Sequence, residues 1–166
     1  MRDTVIIGVA CLVAIAVGAW LYFGGSGTPE LLPQLQGPVE VKVIQKGQDS
    51  GTVTARKNFR IKSEAERQAL WRMIYGTGGP VTGPIDFERE ELLAVFDGTH
   101  STGGYDVTVA AVEDGASTRT VTLLRTEPGD SCVTTDAITS PYVLVVLPKS
   151  ALPLERVETT EVRECE

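Results

Sequence analysis

Residues 92–96 read Leu-Leu-Ala-Val-Phe, an uninterrupted run of five apolar residues. Consecutive apolar residues without polar alternation are typical of a short strand that is buried on both faces. Residues 143–147, Val-Leu-Val-Val-Leu, form a second run of this kind, which Pro148 closes. Both segments are therefore predicted to be buried strands.

Other segments show the alternation of half-buried strands. Residues 39–43 alternate Val with Glu and Lys, and residues 105–111 alternate Tyr, Val and Ala with Asp and Thr. Residues 120–124 are predicted to return from a loop as the second strand of a hairpin. Residues 52–61 supply a further candidate, and the β-branched segment 157–162 is predicted to be the last edge strand.

One soluble helix is predicted, over about residues 64–75. Ser63 and Glu66 have the spacing of a capping box, and Gly76 supplies a C-terminal stop. The apolar stripe at helical spacing consists of Leu70, Met73 and Ile74. The predicted fold class is therefore α+β, with a mostly antiparallel β-sheet or a partly open barrel and one covering helix.

An uncharged apolar segment over residues 4–23 precedes this domain. Twenty helical residues span about 30 Å, which is the thickness of a bilayer's hydrocarbon core. The segment ends with Trp20, Tyr22 and Phe23, and such rings favour the membrane interface. We predict a transmembrane signal-anchor helix; the alternative is secretion after signal cleavage near residues 24–27.

The flanking charges predict how this anchor is oriented. Arg2 lies on its N-terminal side, and no Lys or Arg occurs between Phe23 and Lys42. Because positive residues stay inside, the N-terminus (residues 1–3) is expected in the cytoplasm. A flexible Gly/Pro linker over residues 24–37 then leads to an extracytoplasmic domain over residues 38–166.

The charge of the extracytoplasmic part limits its partners. The chain has a formal net charge of −7, and Arg2 and Asp3 cancel, so the remainder keeps all of it. An acidic excess of this size argues against nucleic acid and against an anionic membrane surface as partners.

Residues suited to catalysis or metal binding are few. His100 is the one histidine of the chain, and no Gly-x-Ser-x-Gly motif accompanies it. One His and three Cys do not make a closed four-ligand zinc site, and the glycine run 76–79 lacks the Lys of a phosphate loop. We therefore predict no enzyme activity, no cofactor and no metal; a hydrolase that uses His100 is the third-ranked alternative.

Two cysteines, Cys132 and Cys165, lie outside the predicted anchor. In an oxidising compartment such a pair is predicted to form a disulfide that ties the C-terminal strand to a loop. The alternatives are two free thiols, or an exposed Cys165 that links two copies of the chain.

Three short segments together carry a resemblance to a known family. They are Leu-Leu-Ala-Val-Phe-Asp-Gly at 92–98, Thr-Gly-Gly-Tyr-Asp-Val at 102–107, and the Thr-Ser-Pro-Tyr entry to the strand within 139–149. They resemble the PrcB C-terminal domain family, which is named for a subunit of a bacterial cell-surface protease complex. The resemblance covers residues 87–149 well and residues 38–75 loosely.

The resemblance implies roles for particular residues. Family members often carry a cysteine before the Pro of the late strand, which Cys132 matches. The predicted structural-turn residues are Gly98, Gly103, Gly104 and Pro141. The predicted partner or ligand surface consists of Asp97, His100, Tyr105 and Tyr142, with the loops around 97–104 and 128–140.

The resemblance also implies association with another protein on the cell surface, such as a protease. The leading hypothesis is a membrane-anchored, extracytoplasmic protein-interaction or scaffold domain, which includes an accessory subunit of a protease complex. It engages its partner through a sheet edge or through these loops. The alternative is a small-ligand or carbohydrate-binding module that exposes aromatic residues from the same loops.

Overall fold

A computed structural model describes residues 36–165, which contain eight strands and one helix. Their bounds are β1 (Gly37–Pro38), β2 (Lys42–Gly47), β3 (Lys57–Ile61), α1 (Glu64–Tyr75), β4 (Glu90–Phe96), β5 (Asp106–Asp114), β6 (Arg119–Pro128), β7 (Tyr142–Pro148) and β8 (Leu154–Arg163). The predicted helix and the mostly antiparallel α+β class are confirmed.

The strands form two four-stranded sheets, which corrects the expectation of a single sheet or partly open barrel. The outer sheet has the order β1-β5-β6-β8, and the central sheet has the order β2-β7-β4-β3. The physical reason lies in β4 and β7, which are apolar on both faces and need cover on both. The outer sheet covers one face of the central sheet and α1 covers the other.

Strand pairing is antiparallel throughout the described residues except between β6 and β8, which run parallel. β5 and β6 form the predicted hairpin, and β4 pairs with β7 along seven residues from each strand. Residues 149–153 connect β7 in the central sheet to β8 in the outer sheet. This connection, called the crossover below, brings β8 beside β6 at the edge of the outer sheet.

The core between the two sheets is built from alternate residues of their strands. Its central-sheet members are Leu93, Val95, Val143, Val145 and Leu147, and its outer-sheet members are Val107, Val109, Val112, Val121 and Leu123. Each of these side chains is at most 6% exposed. Full burial of such a side chain favours folding by about 1.5–3 kcal/mol, so this layer holds the sheets together.

The second core lies between α1 and the opposite face of the central sheet. Its buried members include Leu70, Ile74, Leu92, Ala94, Phe96, Tyr142 and Leu144. The Oγ of Ser63 accepts the N–H of Glu66 at 3.3 Å, as the capping box predicts. Gly76 ends the helix at a φ of 65°, and its N–H donates to the carbonyl of Arg72. The local sequence therefore sets both ends of α1.

Residues 39–43 differ from the single strand that their alternation predicts. The chain leaves the outer sheet after Pro38 and enters the central sheet at Lys42. Val39 and Val41 pack against the core between the sheets during this passage, whereas Val43 is 53% exposed. The alternating segment therefore crosses from the outer sheet to the central sheet, with β1 before it and β2 at its end.

Four charged residues hold the crossover in place: Arg60, Glu91, Asp114 and Arg119, which we call the crossover cluster. Arg60 donates to both carboxylate oxygens of Glu91, at 2.8 and 2.9 Å, and to the carbonyls of Ser150 and Leu152. Glu91 is 1% exposed and also accepts from Arg119 at 3.0 Å. Buried charges need such pairing, so this cluster fixes one end of the sandwich.

The predicted anchor over residues 4–23 and nearly all of the predicted linker lie outside the described residues. Within residues 36–165, no helix is both long and apolar enough to cross a bilayer.

Candidate partner-binding site

Asp97 follows β4 directly and lies on the side of the central sheet that faces β6. It is 4% exposed, and Arg125 of β6 donates from Nε to its Oδ1 at 2.5 Å. His100 Nε2 lies 2.7 Å from Asp97 Oδ2, and Arg56 Nη2 lies 3.4 Å from Oδ1. These residues, together with Glu158, form what we call the Asp97 cluster. One buried carboxylate thus organises three cationic or ionisable side chains.

Arg125 connects this cluster to β8. Its Nη1 donates to Glu158 Oε2, so its charge is shared between two carboxylates from different strands. Its Nη2 is buried and has no acceptor among the described residues. The guanidinium therefore connects β6 to the end of β4 and to β8, while its Nη2 makes no hydrogen bond among the described residues.

His100 is held by its neighbours on two sides. Its ring stacks on that of Tyr105, with centroids 3.8 Å apart and 10° between the planes. Its side chain is 17% exposed. No hydroxyl or thiol among the described residues hydrogen bonds to the imidazole. The pair with Asp97 resembles the base and acid of a hydrolase, but in the described residues no nucleophile completes it.

The two loops predicted to form a surface are hydrogen bonded to each other. His100 and Thr139 exchange backbone hydrogen bonds of 2.8 and 3.0 Å, and the N–H of Gly103 donates to the carbonyl of Thr135 at 3.0 Å. The Oγ1 of Thr139 donates to the carbonyl of Thr102 at 2.8 Å. We call residues 97–104 and 128–140 the paired loops.

Two glycines allow this close approach. Gly104 has a φ of +94°, and a Cβ there would lie 2.9 Å from Pro128 Cβ. A Cβ on Gly103 would lie 2.4 Å from Thr135 Oγ1. A larger residue at Gly104 would therefore be strained and would press against Pro128, and one at Gly103 would displace the Thr135 hydroxyl.

The other two predicted turn residues lie near Asp97. Gly98 follows Asp97 at a φ of +88°, and Pro141 accepts the N–H of Asp97 on its carbonyl at 2.9 Å, directly before β7. Both therefore lie at the end of the central sheet from which the paired loops leave.

A disulfide joins the paired loops to the end of β8. Cys132 and Cys165 form the predicted intramolecular bridge, with their Cα atoms 4.9 Å apart. Ser131 supports it, because its Oγ donates to the carbonyl of Cys165 at 3.0 Å. The loop 128–140 is therefore held near one end by the disulfide and near the other by the bridge to His100.

Between these attachment points the loop exposes apolar side chains. Val133 is 102% exposed and Ile138 is 78% exposed, while Val residues of the nearby core are almost fully buried. Asp130 and Asp136 are exposed on the same loop. The loop therefore presents apolar groups beside negative charges.

A comparison with protein-family models bears on this segment: the model described as PrcB C-terminal matches residues 92–148. Residues 92–148 are similar to the PrcB C-terminal family, and we call them the PrcB C-terminal segment. The resemblance predicted from the sequence is thereby confirmed for β4 to β7. The chain matches none of the curated proteins and none of the solved structures with which it was compared.

The PrcB C-terminal segment contains most of the candidate site. Asp97, His100, Arg125 and both paired loops lie within it. Arg56, α1 and β8 lie outside the matched residues, so part of the Asp97 cluster and one half of the disulfide are contributed by flanking chain.

Three of the four residues predicted for the surface come together, and Tyr142 does not join them. Tyr142 begins β7 within the PrcB C-terminal segment, but its ring lies in the core beneath α1 and is 3% exposed. Its hydroxyl is 2.7 Å from that of Tyr75. Burial is the larger cause, and this hydrogen bond the smaller one, of a pKa of Tyr75 that is raised above its usual value. Tyr142 therefore supports the layer beneath α1, on the face of the central sheet opposite Asp97.

Sequence reasoning missed the partners of Asp97. Arg125 has the same alternation phase as Val121 and Leu123, whose side chains face the core. An arginine on the apolar face of a strand signals a buried ion pair, and extending the predicted strand past residue 124 reveals it. Val133 and Ile138 carried no comparable signal, because exposure on a loop depends on tertiary contacts.

Proposed function

We propose that this chain is a protein-interaction domain whose partner docks on the paired loops. The observation that carries the proposal is the exposure of Val133 and Ile138 on a loop that is fixed on both sides. Exposed apolar groups on a folded surface mark interaction sites when they are held in place. The disulfide and the hydrogen bonds to residues 97–104 hold the loop that carries Val133 and Ile138 in place.

Pre-organisation of the loop favours binding. Association costs about 0.5–1.5 kcal/mol for each flexible side chain that it orders, and more for a mobile backbone. The backbone pair between His100 and Thr139 and the bridge at Cys132 remove much of that cost in advance. Apolar contacts at Val133 and Ile138 then contribute more of their burial energy to affinity.

The charges around these residues define the partner's chemistry. Asp130 and Asp136 are exposed on the same loop, and the whole chain carries a formal net charge of −7. Complementary charge accelerates association and sets orientation. The partner surface that fits is therefore an apolar contact flanked by Lys or Arg.

The proposal includes the extracytoplasmic location and the membrane anchor predicted over residues 4–23. The disulfide between Cys132 and Cys165 supports such a location, because disulfides persist in oxidising compartments. Since residues 92–148 match the PrcB C-terminal family, a cell-surface protease is the first class of partner to test.

The carbohydrate-binding alternative has less support. Such modules present an exposed aromatic face to the sugar, and the sequence offered Tyr105 and Tyr142 for this purpose. One face of the Tyr105 ring is stacked on His100, and Tyr142 is buried beneath α1. The exposed apolar residues of the paired loops are aliphatic, which suits a protein surface better.

The test compares substitutions at matched exposed valine and isoleucine positions in the full-length chain. Ile138→Asp places a charge in the proposed contact, whereas Val81→Asp places the same charge at a fully exposed site on a different loop. Each variant is expressed with an affinity tag in its native host, cross-linked in the cell and purified. The partner recovered with the unsubstituted chain is quantified by mass spectrometry.

We expect Ile138→Asp to reduce recovery of that partner about tenfold or more, since burying an unpaired charge costs more than about 1.4 kcal/mol. Val81→Asp is expected to leave recovery unchanged. Urea denaturation of both variants checks that each remains folded. Retention of the partner by Ile138→Asp, or equal loss in the two variants, would contradict docking on the paired loops.

A further inference from the structure

The edges of the two sheets differ in how they are protected from pairing with other strands. An exposed edge presents unpaired N–H and C=O groups, and folded proteins block such edges with bulges, charged side chains (above all lysine), prolines or short length. β2 has a register shift between Val43 and Gln45 and carries Lys42 and Lys46. β3 has only five residues. Both edges of the central sheet are thus protected.

One edge of the outer sheet is also protected. β1 has two residues and ends with Pro38, so the rest of that edge is β5. The register of β5 shifts between Val109 and Ala111. Lys46 reaches it from the central sheet, with Nζ 2.5 Å from Asp106 Oδ2. A bulge and a lysine therefore interrupt this edge as well.

The other edge of the outer sheet, β8, is protected only by charged side chains, three Glu and two Arg. It has ten residues, contains neither Pro nor Lys, and keeps one unbroken register with β6 from Leu154 to Arg163. Every residue after Leu154 is exposed. Ten residues make an edge about 33 Å long. β8 is the one long, regular, open edge among the described strands.

We propose that β8 pairs antiparallel with β8 of a second copy of this chain, with the two strands centred on Thr159. The pairing joins two outer sheets into one continuous eight-stranded sheet across a two-fold axis. This interface is separate from the paired loops and does not depend on the function proposed for them.

The charges of β8 support pairing with itself in this register. Glu155 lies four residues before Thr159 and Arg163 lies four residues after it. Glu155 of each copy therefore lies opposite Arg163 of the other copy, so the dimer contains this pair twice. Neither side chain makes an ion pair among the described residues. By contrast, Arg156 already lies 2.8 Å from Glu158 within the chain. Glu161 also makes no ion pair among the described residues, but it accepts a hydrogen bond from Thr126. In two copies, Glu155 and Arg163 complement each other.

Neighbouring registers fit less well. A two-fold axis places one residue opposite its own copy, and Thr159 is neutral there. Centring the pair on Glu158 would put Glu158 opposite itself and Glu155 opposite Glu161, and like charges directly opposite are destabilising. Centring it on Thr160 would place Glu155 opposite Cys165, which lies beyond the end of β8 and is held by the disulfide.

The first test is a cross-link in the full-length chain, purified in a mild detergent with Cys11 replaced by Ser. Thr159→Cys places two thiols directly opposite each other, where Cα atoms of paired strands are about 4.5–5.5 Å apart and a disulfide fits. The control, Thr160→Cys, places its two thiols diagonally, beyond disulfide reach. We expect Thr159→Cys to form a reducible dimer under mild oxidation and Thr160→Cys to stay monomeric.

The second test exchanges the complementary charges. Glu155→Arg and Arg163→Glu each put like charges opposite twice, and we expect each to raise the dimer dissociation constant about tenfold. The double variant restores opposite charges and is expected to return to within about threefold of the original constant. Sedimentation in matched detergent measures all four proteins.

Three outcomes would overturn the proposal. The first is a monomer at every concentration with no Thr159→Cys cross-link. The second is a Thr159→Cys cross-link to a different protein, which would assign the edge to that protein's strand. The third is equal effects of the single and double charge variants, because a purely local disturbance gives no rescue.

Discussion

The two arginines that β6 points between the sheets, Arg119 and Arg125, have different surroundings. Arg119 pairs bidentately with Asp114 at 2.5 and 2.8 Å, and its Nη1 donates to Glu91 and to the carbonyl of Pro148. The hydrogen bond to Asp114, with the charges of both carboxylates, raises the pKa of Arg119. Arg125 meets one oxygen each from Asp97 and Glu158, and its Nη2 has no acceptor among the described residues.

This difference separates a structural end of the sandwich from an end that carries the candidate site. In the crossover cluster every guanidinium nitrogen of Arg119 is bonded, and the cluster holds main-chain carbonyls of the crossover. The Asp97 cluster has a buried guanidinium nitrogen without an acceptor among the described residues, and it lies beside loops that expose apolar groups. Full satisfaction of buried polar groups stabilises a fold, whereas a buried donor left without an acceptor costs stability.

Removing each of the two arginines in turn should show the largest difference between the two ends of the sandwich. Arg119→Met leaves Glu91 and Asp114 short of a buried partner, and we expect it to lower the free energy of unfolding by about 4 kcal/mol. Arg125→Met leaves Asp97 with Arg56 and His100, so a loss of about 2 kcal/mol is expected. Urea denaturation of the full-length chain, followed by circular dichroism, measures both.

Arg89→Met serves as the control, because the Arg89 side chain is 87% exposed and its replacement should change stability by less than about 0.5 kcal/mol. If Arg125→Met lowers the free energy of unfolding as much as Arg119→Met or more, the proposed difference between the two ends is wrong.

The disulfide offers a second test, confined to the loop end. Replacing Cys132 and Cys165 with Ser, in the Cys11→Ser chain, opens a closed segment with a sequence separation of 33. The chain-entropy model gives a stability loss of about 3.7 kcal/mol. Hydrogen exchange should rise in residues 128–140 and stay unchanged in the crossover.

Ser131→Ala is the matched variant for this experiment. It keeps the bridge and removes only the hydroxyl contacts to Glu164 and Cys165, so we expect a loss below about 1 kcal/mol. If exchange rises equally at both ends of the sandwich after the bridge is removed, the two ends are not independent.

The smallest expected effect concerns His100. His100→Gln removes the imidazole from Asp97 and from the face of Tyr105, but Arg125 and Arg56 still pair with the carboxylate. We expect a loss of about 1 kcal/mol in urea denaturation. Arg60→Met at the opposite end starts from the same 17% side-chain exposure and should cost more, since Arg60 makes four hydrogen bonds. Equal losses would remove the distinction between the clusters.

Local signals account for the parts of the fold that were predicted. Ser63, Glu66 and Gly76 define α1 through contacts within a few residues of each other, so its limits can be read from the sequence. The apolar runs of β4 and β7 indicated burial on both faces without showing what covers them. The cysteine count predicted the bridge between Cys132 and Cys165 because only these two lie outside the predicted anchor.

Non-local geometry accounts for what was missed. Nothing in residues 154–163 indicates that they pair parallel with β6, because that follows from where the crossover delivers the chain. The contact between His100 and Thr139 joins residues that are 39 positions apart in the chain, and local patterns do not encode it. Three predicted surface residues lie together because 97–105 is one short segment, whereas Tyr142 follows the phase of its strand into the other core.

The parallel pairing of β6 with β8 has a consequence for how the chain folds. The β5–β6 hairpin needs only a short loop, so its hydrogen bonds can form early. β8 pairs with β6 at a separation of 35 residues, from Arg119 to Leu154, across β7 and the crossover, so its pairing costs more loop-closure entropy than the hairpin. Without β8, the edge of β6, rich in Thr, Val and Leu, would be open to other strands. β8, which carries three Glu and two Arg, therefore replaces a mostly uncharged edge with a charged one.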